Sequence, residues 1–95
     1  MTPLRWPDKD PTDVWDFTLD ARAWMAAVSD TLGSVTATVA PSGLTVQSTA
    51  VTADGLATLR LSGGAAGTDY LVTMTLATDG GRTLQRSVQL RVAEL

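Results

Sequence analysis

The sequence contains no histidine, no cysteine and a single lysine, Lys9. Without histidine, the chain lacks the usual acid–base group for neutral pH and the commonest metal ligand. Without cysteine, it can form neither disulfides nor thiolate metal sites. Catalytic groups of the Ser-His-Asp or Cys-His type cannot be built from the remaining residues. We therefore expect a protein that is not an enzyme and that has no catalytic residues and no cofactor.

Strong charge and long apolar runs are also missing. The formal net charge of the 95 residues is −3, and six Asp lie within residues 1–30. A protein that binds nucleic acid needs clustered Lys and Arg to neutralise phosphates, and the sequence has no such stripe. Residues 1–16 contain no apolar run, so the sequence predicts no signal peptide and no membrane span there. We expect no nucleic-acid partner, no membrane association and synthesis in the cytoplasm without a signal peptide.

The acidic residues leave two alternatives for chemistry. Three carboxylates near the start of the chain could bind calcium through clustered oxygens: Asp8, Asp10 and Asp13. The EF-hand pattern fails because Asp13 occupies its sixth position and Leu19 its twelfth. An irregular calcium site stays open, although we assign no metal ligands. Asp16 and Asp20 share a predicted strand face, which is more simply a solvated surface than a glycosidase pair.

Proline is concentrated at the start of the chain, where three of the four prolines fall within residues 1–13. Proline fixes its own φ, removes a backbone donor and disfavours helix at the preceding residue. The sequence therefore predicts an extended N-terminal arm over residues 1–13 and a β-sandwich domain over residues 14–95. Because few core residues precede Val14, we expect deletion of residues 1–12 to leave the fold intact.

From residue 14 onwards, apolar residues alternate with polar ones in short segments separated by turn residues. Alternation with a period of two is typical of half-buried strands. Residues 21–30 fit a short helix or a strand equally well. Six or seven strands predict an all-β fold, an immunoglobulin-like or fibronectin type III-like sandwich. The predicted inward-facing rows are Trp15, Phe17 and Leu19; Val35, Ala37 and Val39; Ala57, Leu59 and Leu61; Tyr70, Val72, Met74 and Leu76; and Leu84, Arg86, Val88, Leu90 and Val92.

The Gly-rich stretch 62–69 predicts a loop that leads into Tyr70, the only tyrosine in the chain. The arrangement resembles the fibronectin type III pattern, in which a tyrosine opens the penultimate strand and its hydroxyl bonds to backbone upstream. We therefore assign structural roles to this tyrosine and to three glycines before it: Gly63, Gly64 and Gly67.

The three tryptophans differ in their predicted environments. Trp15 alternates with Phe17 and is predicted to lie in the core, and Trp24 fits the core better than an interface. Trp6 lies in an arm too short to form its own core. Its indole therefore either docks on its own domain or anchors a partner, since one buried indole supplies a large contact area. The residues that we assign to partner binding are Leu4, Trp6, Asp8, Asp10 and Trp24.

Short motifs from Lys9 to Val92 resemble, in their order and spacing, those of phage fibre-tail adaptor proteins, which are immunoglobulin-like virion proteins. The chain departs from the family pattern at Ala37 and Arg60, where family members carry aromatic residues. The motifs are Lys9-Asp10-Pro11, Asp16-Phe17, Leu19-Asp20, Trp24, Pro41-Ser42-Gly43-Leu44-Thr45-Val46, Leu61-Ser62-Gly63-Gly64, Gly67-Thr68-Asp69-Tyr70, Gly81-Arg82 and Arg86-Ser87.

This resemblance implies a structural, non-enzymatic virion protein of a tailed bacteriophage. Its expected partners are a tail fibre or spike protein and the tail or portal-proximal adaptor protein, contacted by multiple copies around the tail. Exposed edge strands offer a second mode of attachment, by backbone pairing with a partner segment. The alternative function is an immunoglobulin-like carbohydrate-binding or host-surface adhesion module, which needs exposed aromatic residues on the folded face.

Overall fold

A computed structural model describes residues 4–95 and shows a chain built mostly of strands. One short helix lies between the second and third strands of the described residues. No helix in this part of the chain is long and apolar enough to cross a membrane. The elements are β1 (Leu4–Arg5), β2 (Trp15–Asp20), α1 (Arg22–Val28), β3 (Leu32–Ala40), β4 (Leu44–Val51), β5 (Leu56–Gly63), β6 (Thr68–Thr78) and β7 (Thr83–Val92).

The strands form two sheets. One has the order β1-β7-β6-β3 and the other the order β2-β5-β4. All neighbouring strands are antiparallel except β1 and β7, which are parallel. The predicted all-β sandwich is thereby confirmed, whereas the immunoglobulin-like assignment within that class stays a prediction. The topology leaves β1 and β2 at edges of the two sheets, and β3 and β4 at the opposite edges.

The core lies between the sheets and follows the period-two pattern of the sequence. Ala57, Leu59 and Leu61 on β5 are fully buried, as predicted from their alternation. The row that begins at Tyr70 on β6 is buried along its whole length. On β7 the predicted row is buried from Val88 onwards. Alternating side chains therefore place one apolar row per strand between the sheets, which is the arrangement that a sandwich requires.

Helix α1 resolves the ambiguity of residues 21–30. Its sequence is rich in Ala, which has the highest helix propensity, and it buries Met25 against the core. The helix ends at Val28 and is followed by Ser29, whose φ of 53° lies in the left-handed region that stops helices. Trp24 lies on the same helix and is 43% exposed, so the prediction that it fits the core better than an interface is wrong.

Two further local predictions are wrong. Trp15 was predicted in the core, yet its side chain is 67% exposed. It is the first residue of the edge strand β2. Its register partner Leu61 is buried, but no strand of the described residues lies on the other side of Trp15. The predicted loop over residues 62–69 is shorter, because Gly63 pairs with Leu44 and extends β5.

Tyr70 and the loop before it form a closed hydrogen-bonded corner. The phenol ring is 2% exposed, and its hydroxyl oxygen accepts a hydrogen bond from the Ala65 N–H at 2.8 Å. This is the upstream backbone contact that the fibronectin type III resemblance implies for Tyr70. Gly64 adopts a φ of +97°, and a Cβ there would lie 2.7 Å from a methyl group of Val92. A side chain at this position would therefore meet both backbone strain and a clash.

We predict that Tyr70→Phe lowers the free energy of unfolding by roughly 1–3 kcal/mol, because the Ala65 N–H loses its acceptor in a partly buried corner. Urea unfolding followed by tryptophan fluorescence measures the change. The phenylalanine ring keeps the packing of the tyrosine ring, so the loss reports the hydroxyl alone. An unchanged unfolding midpoint would contradict the structural role of this hydrogen bond.

Candidate partner-binding surface

The N-terminal segment, residues 4–9, lies along β7 and is fixed to it by backbone hydrogen bonds. After β1, the Trp6 N–H donates to the Gln89 carbonyl at 3.1 Å. Further along, the Lys9 N–H donates to the Arg91 carbonyl at 3.0 Å, and the Lys9 carbonyl accepts from the Ala93 N–H at 2.9 Å. The segment is extended, as its prolines predict, and over these residues it is an added strand of the sandwich.

The side chain of Trp6 is part of the core. It is 8% exposed, and its ring centroid lies 5.3 Å from that of Phe17. Its indole Nε1 donates a hydrogen bond to the Thr18 carbonyl of β2 at 2.9 Å. The segment that pairs with one sheet is thus bonded through its indole to an edge strand of the other sheet. Of the two alternatives for Trp6, the structure shows docking on its own domain, and the indole is not free to anchor a partner.

Lys9 is a buried cation, which no pattern in the sequence predicts. The residue is 1% exposed, and its Nζ donates hydrogen bonds to the Gly63 carbonyl at 2.7 Å and to the Asp10 carbonyl at 2.9 Å. Burial lowers the pKa of Lys9 below its ordinary value, and the charges of Asp13 and Asp10 oppose this shift. Because the ammonium group is bonded to backbone oxygens, it holds the N-terminal segment against the end of β5.

Asp10, assigned to partner binding from the sequence, is occupied by contacts within the chain. Its carboxylate accepts hydrogen bonds from the Leu95 N–H at 2.9 Å and from both the N–H and the hydroxyl of Thr12. The Leu95 bond, followed by the Thr12 bonds, lowers the pKa of Asp10 to about 2. Asp8, by contrast, is exposed and lies 3.4 Å from the Arg5 guanidinium. Asp10 organises a turn, whereas Asp8 remains at the surface.

An open groove of about 500 Å³ lies beside the exposed Trp15. Its lining includes the carboxylates of Asp8, Asp13 and Asp16, together with Trp6. Lys9 also lines the groove, but its ammonium group is bonded to backbone carbonyls. The groove therefore combines a large exposed aromatic ring with three carboxylates, of which Asp8 pairs with Arg5 and Asp16 with Arg60. Sequence reasoning missed Trp15 as a surface residue, because its period matches that of the buried Phe17.

A second, smaller groove of about 230 Å³ brings together two of the residues assigned to partner binding, Leu4 and Trp24. Their side chains are 42% and 43% exposed, respectively. The Arg86 guanidinium lies 4.8 Å from the centroid of the Trp24 ring, within the range of a cation–π interaction. Arg86, which belongs to the predicted inward-facing row of β7, thus covers part of this indole. We call the surface formed by Leu4, Asp8, Asp13, Trp15 and Trp24 the arm flank.

A family model described as podophage GP4 fiber-tail adaptor protein gp77 matches residues 9–91. The chain belongs to this fibre-tail adaptor family. No curated protein matches the chain. The family membership that the motifs implied is thereby confirmed, and it gives the chain a structural role in the phage tail. The matched range contains Trp15 and Trp24 of the arm flank and begins after Leu4 and Asp8.

The same range contains two of the three acidic residues that left a calcium site open, Asp10 and Asp13. Asp13 accepts a hydrogen bond from the Asp10 N–H at 3.2 Å, so both residues take part in one turn. Among residues 4–95, no group of three or more Asp, Glu, His or Cys side chains is arranged to hold a metal ion. The geometry of the adaptor in this region is that of a hydrogen-bonded turn beside a groove.

We predict that Trp6→Ala lowers the free energy of unfolding of the adaptor by about 3–5 kcal/mol, since it removes a buried indole and leaves a cavity. Leu4→Ala is the matched control in the same segment, because Leu4 is 42% exposed, and we expect it to cost less than about 0.5 kcal/mol. Urea unfolding of both variants gives the comparison. Equal, small losses would contradict the role of the Trp6 indole in joining the N-terminal segment to the core.

We also predict a pH-dependent effect of Asp10→Asn. Above the ordinary carboxyl pKa of 3.8, the Asp10 carboxylate is charged in both states and its hydrogen bonds stabilise the fold fully. As the pH falls from about 4 through about 2, the unfolded chain takes up the proton first, so this contribution is lost. The difference in stability between the wild type and the variant should therefore narrow over this pH range.

Thermal unfolding at a series of pH values measures this difference for Asp10→Asn. Asp8→Asn controls for the loss of one negative charge from the same segment, because its carboxylate contacts the Arg5 side chain at the surface. A difference between the wild type and Asp10→Asn that stays constant down to a pH of about 2 would contradict the assignment.

Proposed function

We propose that this chain links tail fibres or spikes to the tail or portal-proximal adaptor protein through protein–protein contacts, in multiple copies around the tail. Membership of the fibre-tail adaptor family carries the proposal, since the family model covers residues 9–91. The arm flank is the attachment surface within this proposal. A virion location follows from the same role.

Trp15 is the central contact that we assign to the arm flank. It is the most exposed of the three tryptophans, at 67%. Large aromatic side chains dominate the binding energy of protein interfaces, because one ring buries a large area with few rotatable bonds. The groove of about 500 Å³ beside Trp15 offers room for a partner side chain. Exposure of this indole does not stabilise the isolated fold. Its burial against a partner on assembly would explain why it lies at the surface.

The charge of the groove supports a basic segment as the partner. Asp8, Asp13 and Asp16 line it, whereas Lys9 directs its ammonium group to backbone carbonyls. An Arg or Lys side chain of the partner could lie over the Trp15 ring and pair with Asp13, and it would compete with Arg5 and Arg60 for Asp8 and Asp16. Complementary charge mainly increases the association rate and fixes the orientation of binding. Binding through this groove should therefore weaken as the salt concentration rises.

We predict that Trp15→Ala weakens binding of the adaptor to virions that lack it by at least about 30-fold, because loss of a central aromatic contact costs about 2 kcal/mol or more. The variant should fold normally, since the side chain is exposed in the free chain. Leu71→Ala is the matched control, because Leu71 is an exposed apolar residue on β6, at 47% exposure, away from the arm flank.

Quantitative mass spectrometry of the reconstituted virions counts the bound chain relative to the portal and fibre proteins. A fixed ratio for the wild type and for Leu71→Ala, with loss for Trp15→Ala, is the expected result. Equal incorporation of both variants would remove Trp15 from the interface. Absence of the wild-type chain from virions would overturn the adaptor function itself.

The exposure of Trp15 also favours the second candidate, a carbohydrate-binding or host-surface adhesion module. An exposed indole offers a flat apolar face to a sugar ring, and the neighbouring carboxylates of Asp13 and Asp16 can accept hydrogen bonds from hydroxyl groups. A glycan array probed with the purified chain separates the two candidates. Glycan binding that is lost in Trp15→Ala, together with absence from virions, would favour the adhesion module.

A further inference from the structure

Strand β3 has one free edge. It lies at the end of the four-stranded sheet, and its other edge pairs with β6 in an unbroken register from Ser34 to Ala40. Among the described residues, no backbone hydrogen bond reaches the outer edge of this stretch. A free edge presents unpaired N–H and C=O groups to any strand that can approach it.

The features that usually protect such an edge are missing from residues 34–40 of β3. Edge strands are commonly protected by charged side chains, by proline or by bulges. The sequence from 31 to 53 contains no charged residue at all. The register shift of β3 lies between Leu32 and Ser34, and the stretch that follows it is regular. By contrast, the edge strand β2 carries Asp16 and Asp20. Another strand could therefore pair with the outer edge of β3 without burying a charged side chain of β3.

The sequence of this edge reads the same in both directions around Ala37. Val35 and Thr36 precede it, and Thr38 and Val39 follow it. If two copies pair antiparallel with a two-fold axis at Ala37, valine lies opposite valine and threonine opposite threonine. Pairs of β-branched residues and pairs of threonines stabilise antiparallel strands. A two-fold interface uses the same patch on both copies, which is the pattern that this sequence provides.

The side chains of β3 fit the same arrangement on both faces of the sheet. Thr36 and Thr38 are exposed on the outer face. Ala37 and Val39 are only half-buried on the inner face, although they pack against the core. A second copy at this edge would cover the half-buried row and place hydroxyl groups beside hydroxyl groups.

We propose that β3 is a dimer interface, in which two copies of this chain pair antiparallel about Ala37. The two four-stranded sheets then form one continuous sheet across the two-fold axis. This inference does not depend on the adaptor function, because it concerns the purified chain alone. The proposed interface lies at the edge of the sandwich opposite to the arm flank.

Sedimentation equilibrium over a dilution series tests the proposal. The wild type should approach twice the 10.0 kDa mass of the chain as its concentration rises. The double variant Thr36→Lys, Thr38→Lys should remain monomeric, because each lysine would face a lysine of the other copy. The double variant Thr36→Glu, Thr38→Glu should behave in the same way. An equimolar mixture of the two should regain the dimer mass, since each lysine then faces a glutamate.

The matched control carries the same charges on the next strand of the same sheet. Thr73 and Thr75 of β6 lie opposite Thr38 and Thr36 in the β3–β6 ladder. Lysines at these two positions lie farther from the two-fold axis, where salt screens their repulsion. The dimer mass should persist in this control, and circular dichroism checks that every variant is folded. A wild-type dimer that survives Thr36→Lys, Thr38→Lys would overturn the proposal.

A cross-linking experiment fixes the register and detects weak pairing. The chain has no cysteine, so Ala37→Cys introduces a single thiol at the two-fold axis. Opposite residues in antiparallel strands lie about 4.5–5.5 Å apart, which is within the range for a disulfide. Ala37→Cys should form covalent dimers faster on mild oxidation than Ala23→Cys, whose thiol would lie on the exposed side of α1. Equal rates, with a monomeric wild type at every concentration, would also overturn the proposal.

Discussion

The hydrogen bond from the Trp6 indole to the Thr18 carbonyl joins the two sheets at the side of the sandwich where β1 and β2 lie. The indole fills the space between the N-terminal segment and β2, and the backbone of the same residue pairs with β7. Lys9 completes this attachment through its bonds to two backbone carbonyls. The grooves beside Trp15 and Trp24 exist because this segment is held in place, so the geometry of the arm flank depends on it.

Much of the fold could be predicted from the sequence, because alternation of apolar and polar residues reports burial directly. The rows on β5 and β6 are buried where the pattern places them. The pattern does not show where a sheet ends, and Trp15 therefore lies outside the core although it is in phase with Phe17. Residues 21–30 have no clear period, and the structure resolves them as a short helix.

The N-terminal segment was harder to predict for a different reason. Its attachment uses single backbone hydrogen bonds and two side chains, and such contacts leave no periodic signal. A lone lysine among aspartates, such as Lys9, is most simply solvated, and only the carbonyl groups beside it explain its burial. The hydrogen bonds of Asp10 are equally hard to predict, because its partners include Leu95 at the far end of the sequence. Of the residues first assigned to partner binding, Leu4, Asp8 and Trp24 are at the surface.

The parallel pairing of the N-terminal segment with β7 has a mechanical consequence. Leu4 lies beside Val88 and Lys9 beside Val92, so the two segments run in the same direction. A force applied between Leu4 and Leu95 along the strands would load the hydrogen bonds between these segments together in shear. Bonds loaded in this way share the force, whereas bonds at a hairpin end open one after another. The arrangement would therefore resist separation of the two ends of the domain along the strand direction.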